Sequence, residues 1–221
     1  MLADLIQTYN EAIYDTDREK AMQVVQAALE KGATPEMVIF DLVVPAMQQM
    51  IKAISEDFDA NLAQHFMTAQ IAGEVTDAML KKIEAPPEPI GRIVIGTADG
   101  DIHSLGKRIV MGCLKANLIE SVDLGVNVPP ERFVDEALAA GASAIGISAM
   151  MVHTATGDNG PKAVRRLLRE RGLEEKIKLI VGGAPFRFDP DLAQSIGADA
   201  VADDGIAASQ VVKDFVRKET P

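Results

Sequence analysis

Apolar positions recur every three or four residues through the first eighty residues, which is the spacing of one face of an α-helix. Helix-start residues support two of the predicted helices, because Thr16-Asp17 precedes the second and Pro35 lies in the first turn of the third. Pro45 lies inside the third helix, and we expect a kink there because the apolar pattern continues beyond it. The four helices, expected to form a small bundle, are Leu2–Tyr14, Ala21–Leu29, Met37–Ile54 and Leu62–Leu80.

The hydrophobic period changes after a proline-rich stretch at residues 84–89. Short β-branched runs there alternate with amphipathic helical patterns, which predicts an α/β domain with a doubly wound, five-stranded parallel sheet of the Rossmann or flavodoxin type. The predicted strands are Arg92–Thr97, Ser121–Leu124, Ala144–Ser148, Ile177–Val181 and Ala200–Ala202. The predicted helices are Gly106–Ala116, Pro130–Ala140, Pro161–Arg171, Asp191–Ile196 and Ile206–Lys218. We therefore expect a helical cap domain at 1–83, a linker at 84–90 and an α/β domain at 91–221.

Composition narrows the class of protein. With 48% apolar residues in 221, each half can bury a core of its own. The net charge of −11 argues against a nucleic-acid partner, which requires a basic face. No uncharged stretch is long enough to span a membrane, and Met1–Asn10 lacks the pattern of a signal peptide. The single cysteine, Cys113, falls in a helical pattern and fits a reducing compartment. We expect a cytoplasmic protein.

The loop after the first predicted strand carries the first candidate site. Asp101 and His103 are two residues apart, so in an extended loop their side chains can point the same way. A carboxylate beside an imidazole fixes its tautomer and raises its basicity, as a metal-ligating histidine requires. Gly106 leaves room where a bulky ligand would press on the backbone. The same residues also suit a helix start capped by an aspartate, with a surface histidine beside it.

Two further loops follow predicted strands. The third strand ends in Ser148-Ala149-Met150, and the fourth runs into Gly182-Gly183. Because carboxyl ends of parallel strands meet at one edge of a sheet, we expect these loops to converge with the Asp101–His103 loop. A glycine pair after a strand is, by itself, more typical of a turn.

Together the three loops resemble the cobalamin-binding signature of methionine synthase and of the corrinoid proteins of methyltransferase systems. The matching elements are Asp101-x-His103-x-x-Gly106, Ser148-x-Met150 and Gly182-Gly183. Met150 stands where that signature usually has leucine, an apolar exchange of similar volume. Segments 123–134 and 196–200 are also similar to the family, and the N-terminal helices resemble its cap domain. The resemblance therefore covers nearly the whole chain.

The resemblance implies a role for each signature residue. His103 would replace the nucleotide base of cobalamin as the lower axial ligand of cobalt, and Asp101 would accept the proton of its other nitrogen. Thr154 would complete a proton relay with Asp101. The remaining cofactor-binding residues are expected to be Ile102, Gly106, Ser148, Met150, Gly182 and Gly183, with Ser148 and the glycine pair lining the nucleotide channel.

Four residues keep alternative interpretations. Phe66 and Met67 could cover the upper face of the cofactor, although their helical spacing is equally that of ordinary core residues. His65 could be an upper ligand as in light-sensing relatives, but those relatives carry a nearby tryptophan and this chain has none. His153 could touch the corrin edge or lie in an exposed loop.

The implied function is that of a corrinoid methyl carrier without activity of its own, which uses methylcobalamin and Co(I) cobalamin or a related corrinoid. The expected partners are a substrate-specific methyltransferase, a second methyltransferase and a reductive activase, with no nucleic acid and no membrane. The alternatives are a cobalamin-dependent sensor or the cobalamin-binding subunit of a mutase. A sensor would need an output segment, and the mutase subunit lacks a helical cap. A receiver domain would need an aspartate nearer the strand end than Asp101.

Overall fold

The computed structural model describes residues 2–47, 49, 62–83 and 88–219. The chain divides into two units, of which one comprises Met1–Glu88 with Lys115–Asn117, and the other Pro89–Leu114 with Leu118–Pro221. Residues 48 and 50–54 of the third predicted helix and residues 84–87 of the proline-rich stretch lie outside the described residues.

The first unit is helical, as predicted. Its described elements are the α-helices Leu2–Tyr14, Arg18–Glu30, Pro35–Met37 and Leu62–Leu80 and the π-helix Val38–Val43. The predicted starts are confirmed, because the Asp17 carboxylate accepts the N–H of Lys20 at 2.9 Å and the Thr34 hydroxyl accepts the N–H of Met37 at 3.3 Å. Both side chains satisfy backbone donors that the first helical turn leaves without partners.

The third helix differs from an ordinary α-helix ahead of its proline. The N–H of Val44 donates to the carbonyl of Ile39, five residues earlier, which closes a π turn. Helix continues at residues 44–47, so the expected continuation past Pro45 is confirmed as far as Met47. Proline has no N–H to donate, and the π turn lies directly before this interruption of the hydrogen-bond ladder.

The second unit is built on five parallel strands, and the predicted fold class is confirmed. They are β1 (Gly91–Thr97), β2 (Ile119–Asp123), β3 (Ala144–Ser148), β4 (Lys178–Gly182) and β5 (Ala200–Val201) in the order β2-β1-β3-β4-β5. The described helices of this unit are Leu105–Ala116, Pro130–Ala140, Val152–Thr156, Pro161–Glu170, Ala184–Phe188, Pro190–Ile196 and Gly205–Glu219. Two of these, Val152–Thr156 and Ala184–Phe188, were not predicted, because helices of five residues are too short to show a period.

Both faces of the sheet are covered by apolar packing. Ile93 and Val94 are neighbours on β1, yet each is buried in a different core cluster. Side chains of consecutive strand residues point to opposite faces, so the sheet is buried on both sides, as a doubly wound sheet requires. The Phe133 ring packs directly against Gly96 on β1. Any larger residue there would collide with it, because a Cβ would lie 2.7 Å from the ring. None of the described helices is long and apolar enough to cross a membrane.

Candidate cofactor site

The register of the sheet brings three loops to one edge. Thr97 on β1 pairs with Ser148 on β3, and Ser148 pairs with Gly182 on β4. Immediately beyond these pairs, the N–H of Ala98 donates to the carbonyl of Ser148 at 2.9 Å and the N–H of Ala149 donates to the carbonyl of Gly182 at 3.0 Å. The predicted convergence of the loops is therefore confirmed.

Asp101 is the centre of this edge. Its Oδ1 lies 2.7 Å from Nδ1 of His103 and accepts the backbone N–H of His103 at 2.9 Å. Its Oδ2 accepts the N–H of Met150 at 2.7 Å and the hydroxyl proton of Thr154 at 3.1 Å. One carboxylate thus joins the loop after β1 to the loop after β3. The N–H of His103 lies before the helix that begins at Leu105, so this contact closes a turn within the loop and is not the helix cap of the alternative interpretation.

The Asp101 carboxylate is held as an anion. Burial opposes the charged form, but the hydrogen bonds from the backbone of His103 and Met150 and from the side chains of His103 and Thr154 outweigh it and lower the pKa of Asp101 to about 2. An anion beside Nδ1 favours the tautomer that carries its proton on Nδ1. Nε2 of His103 then keeps its lone pair. Because the His103 side chain is 55% exposed, Nε2 is available to a metal from the solvent side.

Thr154 gives the carboxylate a second proton partner. It is buried on the short helix Val152–Thr156, and its hydroxyl lies 3.1 Å from Oδ2 of Asp101 and 2.9 Å from the carbonyl of Met151. A hydroxyl has one proton, so it donates to the carboxylate when Asp101 is ionised. If Asp101 takes up a proton, the Thr154 oxygen can accept a hydrogen bond from it, and the Thr154 hydroxyl can then donate to the Met151 carbonyl.

Exposed apolar side chains form an apolar rim at the edge of the sheet that carries His103. Ile102, between the two polar residues, is 76% exposed, and Phe188 after β4 is 85% exposed. Large apolar side chains gathered at the surface are typical of a binding site. The exposed apolar residues in the segments that follow β1, β2, β3 and β4 are Ile102, Val126, Met150, Met151, Val152 and Phe188. This rim suits a large, flat and mostly apolar ligand.

The signature glycines fall into two groups. A Cβ on Gly183 would lie 2.0 Å from the carbonyl of Ala149, and its φ of 117° also disfavours other residues. A Cβ on Gly182 would lie 2.8 Å from the carbonyl of Ala202. Gly106 differs, because a Cβ there would meet nothing within 4 Å. The packing of the protein explains the glycine pair as a close approach of backbones, and it leaves space at Gly106 for a ligand.

Sequence reasoning missed Lys107, which is buried and forms an ion pair with Asp123 at the end of β2. Burial raises the pKa of Asp123, but the hydrogen bonds from Lys107 and from the N–H of Gly125, the latter at 2.8 Å, together with the charge of Lys107, lower it overall. The signal in the sequence was a lysine seven residues before Leu114, on the apolar face of the helix. The pair ties the first turn of the helix Leu105–Ala116 to the end of β2.

The other residues predicted for the site are placed as follows. His153 is exposed on the short helix after β3, and Phe66 and Met67 are half-buried on the helix Leu62–Leu80. The side chain of His65 lies outside the described residues. Cys113 is fully buried, and burial together with the charge of Asp204 raises the pKa of its thiol to about 12, so it is not a nucleophile.

Comparison with known proteins places this site in a class. The B12 binding domain family matches residues 91–212, and a second B12 binding domain family matches residues 5–61. The fold and site therefore define a cobalamin-binding protein. The chain is 33% identical to trimethylamine corrinoid protein 1 of Methanosarcina acetivorans, over 95% of this chain and 94% of the relative. It is 32% identical to the dimethylamine corrinoid protein of Methanosarcina barkeri, over 96% of this chain and 98% of the relative. The chain belongs to this family of corrinoid proteins, and its cofactor is cobalamin or a related corrinoid.

Two solved structures of other proteins are similar in fold to this chain. A cobalamin-binding protein of Desulfitobacterium hafniense superposes with a TM-score of 0.77 at 21% identity, over 95% of this chain and 98% of that chain, and shares the fold. A chain of the methanol:cobalamin methyltransferase complex of Methanosarcina barkeri superposes with a TM-score of 0.75 at 25% identity, over 97% of this chain and 80% of that chain. The residues at the sheet edge fit the cofactor, because His103 can offer Nε2 to cobalt and Gly106 leaves space beside it.

Proposed function

We propose that this protein is a methyl carrier that holds its corrinoid through Nε2 of His103 and passes methyl groups between two methyltransferases. The observation that carries the proposal is the contact of the buried Asp101 anion with Nδ1 of a half-exposed histidine. That contact leaves Nε2 as the free ligand atom on an exposed apolar rim. Bound cobalamin would supply the group-transfer chemistry, since its reduced form accepts a methyl group and its methylated form passes that group on and becomes reduced again.

The protein residues hold the cofactor and manage one proton. Asp101 orients the imidazole of His103 and, with Thr154, offers an acceptor for a proton whenever the imidazole leaves the metal. Ile102, Met150 and the other rim residues would contact the apolar underside of the corrin. Ser148, Gly182 and Gly183 would border the channel for the nucleotide, and Phe66 and Met67 stay the predicted cover of the upper face.

Methylamines are the proposed donors. The relatives at 30–34% identity are trimethylamine, dimethylamine and monomethylamine corrinoid proteins. The related complex from Methanosarcina barkeri pairs cobalamin with a methanol methyltransferase. For this chain we propose a methylamine methyltransferase as the first partner, a second methyltransferase that takes the methyl group, and a reductive activase that returns oxidised cobalt to its reduced form.

Electron paramagnetic resonance tests the axial ligand. The protein is loaded with cobalamin, reduced to Co(II) and prepared with ¹⁵N-labelled histidine. The wild type and the control His153→Ala should show hyperfine coupling to a protein nitrogen, and His103→Ala should lose it while retaining its fold. Coupling only to the cofactor's own base in the wild type would contradict the proposal.

Methyl transfer tests the carrier role. The reduced holoprotein should be methylated by methyl iodide without help, because methyl iodide needs no activation. It should remain unmethylated with trimethylamine, dimethylamine or monomethylamine until a methylamine methyltransferase is added, which absorbance spectra can follow. Methylation by a free methylamine alone would show a catalyst in place of a carrier, and response only to a methanol methyltransferase would contradict the proposed donor class.

A further inference from the structure

Asn127 makes two hydrogen bonds to the backbone of the segment that carries the Asp101 carboxylate. It lies in the loop after β2, where its Oδ1 accepts the N–H of Gly100 at 2.7 Å. Its own N–H donates to the carbonyl of Asp101 at 2.8 Å. Its φ of 52° is left-handed, a conformation that asparagine adopts more readily than most residues. One residue therefore brackets the segment from Gly100 to Asp101.

The loop that carries Asn127 is itself fixed to β1. The N–H of Thr97 donates to the carbonyl of Gly125 at 3.0 Å, and the N–H of Val128 donates back to the carbonyl of Thr97 at 3.0 Å. Ala98 and Val128 then form an isolated parallel bridge. Asn127 stands between these anchored residues, so its two hydrogen bonds connect Asp101 to a rigid part of the fold.

Asp101 and His103, here called the axial pair, differ in how firmly the protein holds them. Asp101 is fixed at its backbone by Asn127 and at its carboxylate by Met150 and Thr154. The ring of His103 is hydrogen-bonded to Asp101 through Nδ1 and is half-exposed. An imidazole that must approach and leave a metal needs a partner that stays in place.

We propose that Asn127 is a positioning residue for the axial pair, and this inference rests on the proposed role of His103 as a cobalt ligand. By holding the Gly100–Asp101 backbone, Asn127 keeps the carboxylate where it can meet Nδ1 of the imidazole. Both of its hydrogen bonds are made to the Gly100–Asp101 segment and not to His103. Its effect therefore passes through the orientation of His103.

Substitutions separate the acceptor atom from the backbone conformation. Asn127→Gly keeps the left-handed φ and the N–H but removes the side-chain acceptor. Asn127→Asp keeps the left-handed φ, the N–H and a side-chain acceptor. Asn127→Ser, whose shorter side chain leaves the acceptor short of Gly100, is a milder second variant in case the glycine variant folds poorly. Asn159→Ala is the matched control, because it removes a hydrogen bond of 3.2 Å to the same loop, at Asp99.

Three quantities are measured for each full-length variant: the thermal midpoint of the apoprotein, the Kd for hydroxocobalamin, and the protein-nitrogen coupling of the Co(II) form. Asn127→Gly and Asn127→Ser should raise Kd by about 3–10-fold, the effect of losing one hydrogen bond, and should reduce the fraction with nitrogen coupling. Asn127→Asp should restore both within about two-fold, and Asn159→Ala should match the wild type.

The outcomes distinguish this inference from the proposed function. Wild-type Kd and full nitrogen coupling in both Asn127→Gly and Asn127→Ser would overturn the positioning role and leave the carrier role intact. Equal defects in Asn127→Asp and Asn127→Gly would also overturn it, because the acceptor would then be irrelevant. If the wild type itself shows no coupling to His103, the proposed function fails first.

Discussion

Oδ1 of Asp101 lies 2.7 Å from Nδ1 of His103, yet the Asp101 side chain is fully buried while that of His103 is half-exposed. The contact therefore joins a fixed anion to a ring that solvent and a ligand can reach. Oδ2 of the same carboxylate is held by residues of the loop after β3. Any change of the carboxylate thus acts on the orientation of the imidazole and on the packing of two loops.

The axial pair should respond to substitution in a graded way. His103→Ala should abolish the protein-nitrogen coupling. Asp101→Asn should retain some coupling but weaken cobalamin binding by about 10–100-fold, the usual effect of removing the partner of a metal-ligating histidine. Absorbance titration with hydroxocobalamin measures the affinity, with His153→Ala as the control. If Asp101→Asn lost the coupling and His103→Ala kept it, the two roles would be assigned wrongly.

Acid should remove a specific contribution to the stability of the apoprotein. The pKa of Asp101 is about 2 in the folded state, below its ordinary value of 3.8. A lowered pKa contributes stability that is fully present above about pH 4 and is lost as the pH falls towards 2, by about 2 kcal/mol for this group.

Urea unfolding at pH 7 and pH 3 measures this contribution. Asp101→Asn should lower the stability at pH 7 and flatten its dependence on pH relative to the wild type. Asp158→Asn, which removes an exposed carboxylate from a neighbouring loop, corrects for the loss of one charge. An unchanged slope in Asp101→Asn would contradict the depressed pKa.

Substitution of two signature glycines should have different effects, one on the stability of the fold and the other on cobalamin binding. Gly183→Ala should destabilise the apoprotein by about 2 kcal/mol or more, because its Cβ would collide with the Ala149 carbonyl and its φ is left-handed. Gly106→Ala should leave that stability unchanged or slightly higher, since its Cβ meets open space in a helix. It should nevertheless raise the Kd for hydroxocobalamin, because the added methyl group occupies the space left for the ligand.

Thermal unfolding and absorbance titration of the same two preparations give the comparison. A Gly106→Ala protein that binds hydroxocobalamin as tightly as the wild type would show that the open space beside His103 does not receive the cofactor.

Loss of Asp123 should destabilise the protein more than loss of its ion-pair partner Lys107. Lys107 is buried, whereas the Asp123 side chain is 40% exposed and can be hydrated without its partner. Asp123→Asn should therefore cost about 1–3 kcal/mol, because it leaves a buried ammonium without an anion, and Lys107→Met should cost less. Denaturant unfolding of both variants and of the double variant tests the order. A larger loss for Lys107→Met would contradict the hydration argument.

Much of the fold could be predicted from local patterns. The change of period near residue 90 separated helices from alternating strands and helices, and β3 was predicted with the bounds that the structure shows. The five-residue helices Val152–Thr156 and Ala184–Phe188 were missed because a single turn has no period. Strand bounds elsewhere moved by one or two residues, since hydrogen-bond register decides them and apolar runs do not.

By itself the sequence determined that Asp101, His103 and Gly106 follow one strand, and that Ser148 and Gly182 end two others. In a parallel sheet this order suffices to bring their loops to one edge. The identity of each hydrogen-bond partner depended on tertiary structure. Met150 and Thr154 lie 49 and 53 positions beyond Asp101, and only the packing of β1 against β3 brings them to its carboxylate.

Tertiary structure also decided which polar residues are buried. Lys107 lies on the apolar face of its helix, but no local pattern shows that Asp123 pairs with its buried ammonium. Asn127 looks like an ordinary loop residue, and only the fold makes it bracket Asp101. A sequence pattern reports the period of a segment and the chemistry of its side chains. Burial and contact distances depend on residues far along the chain, because they arise only when strands and helices pack together.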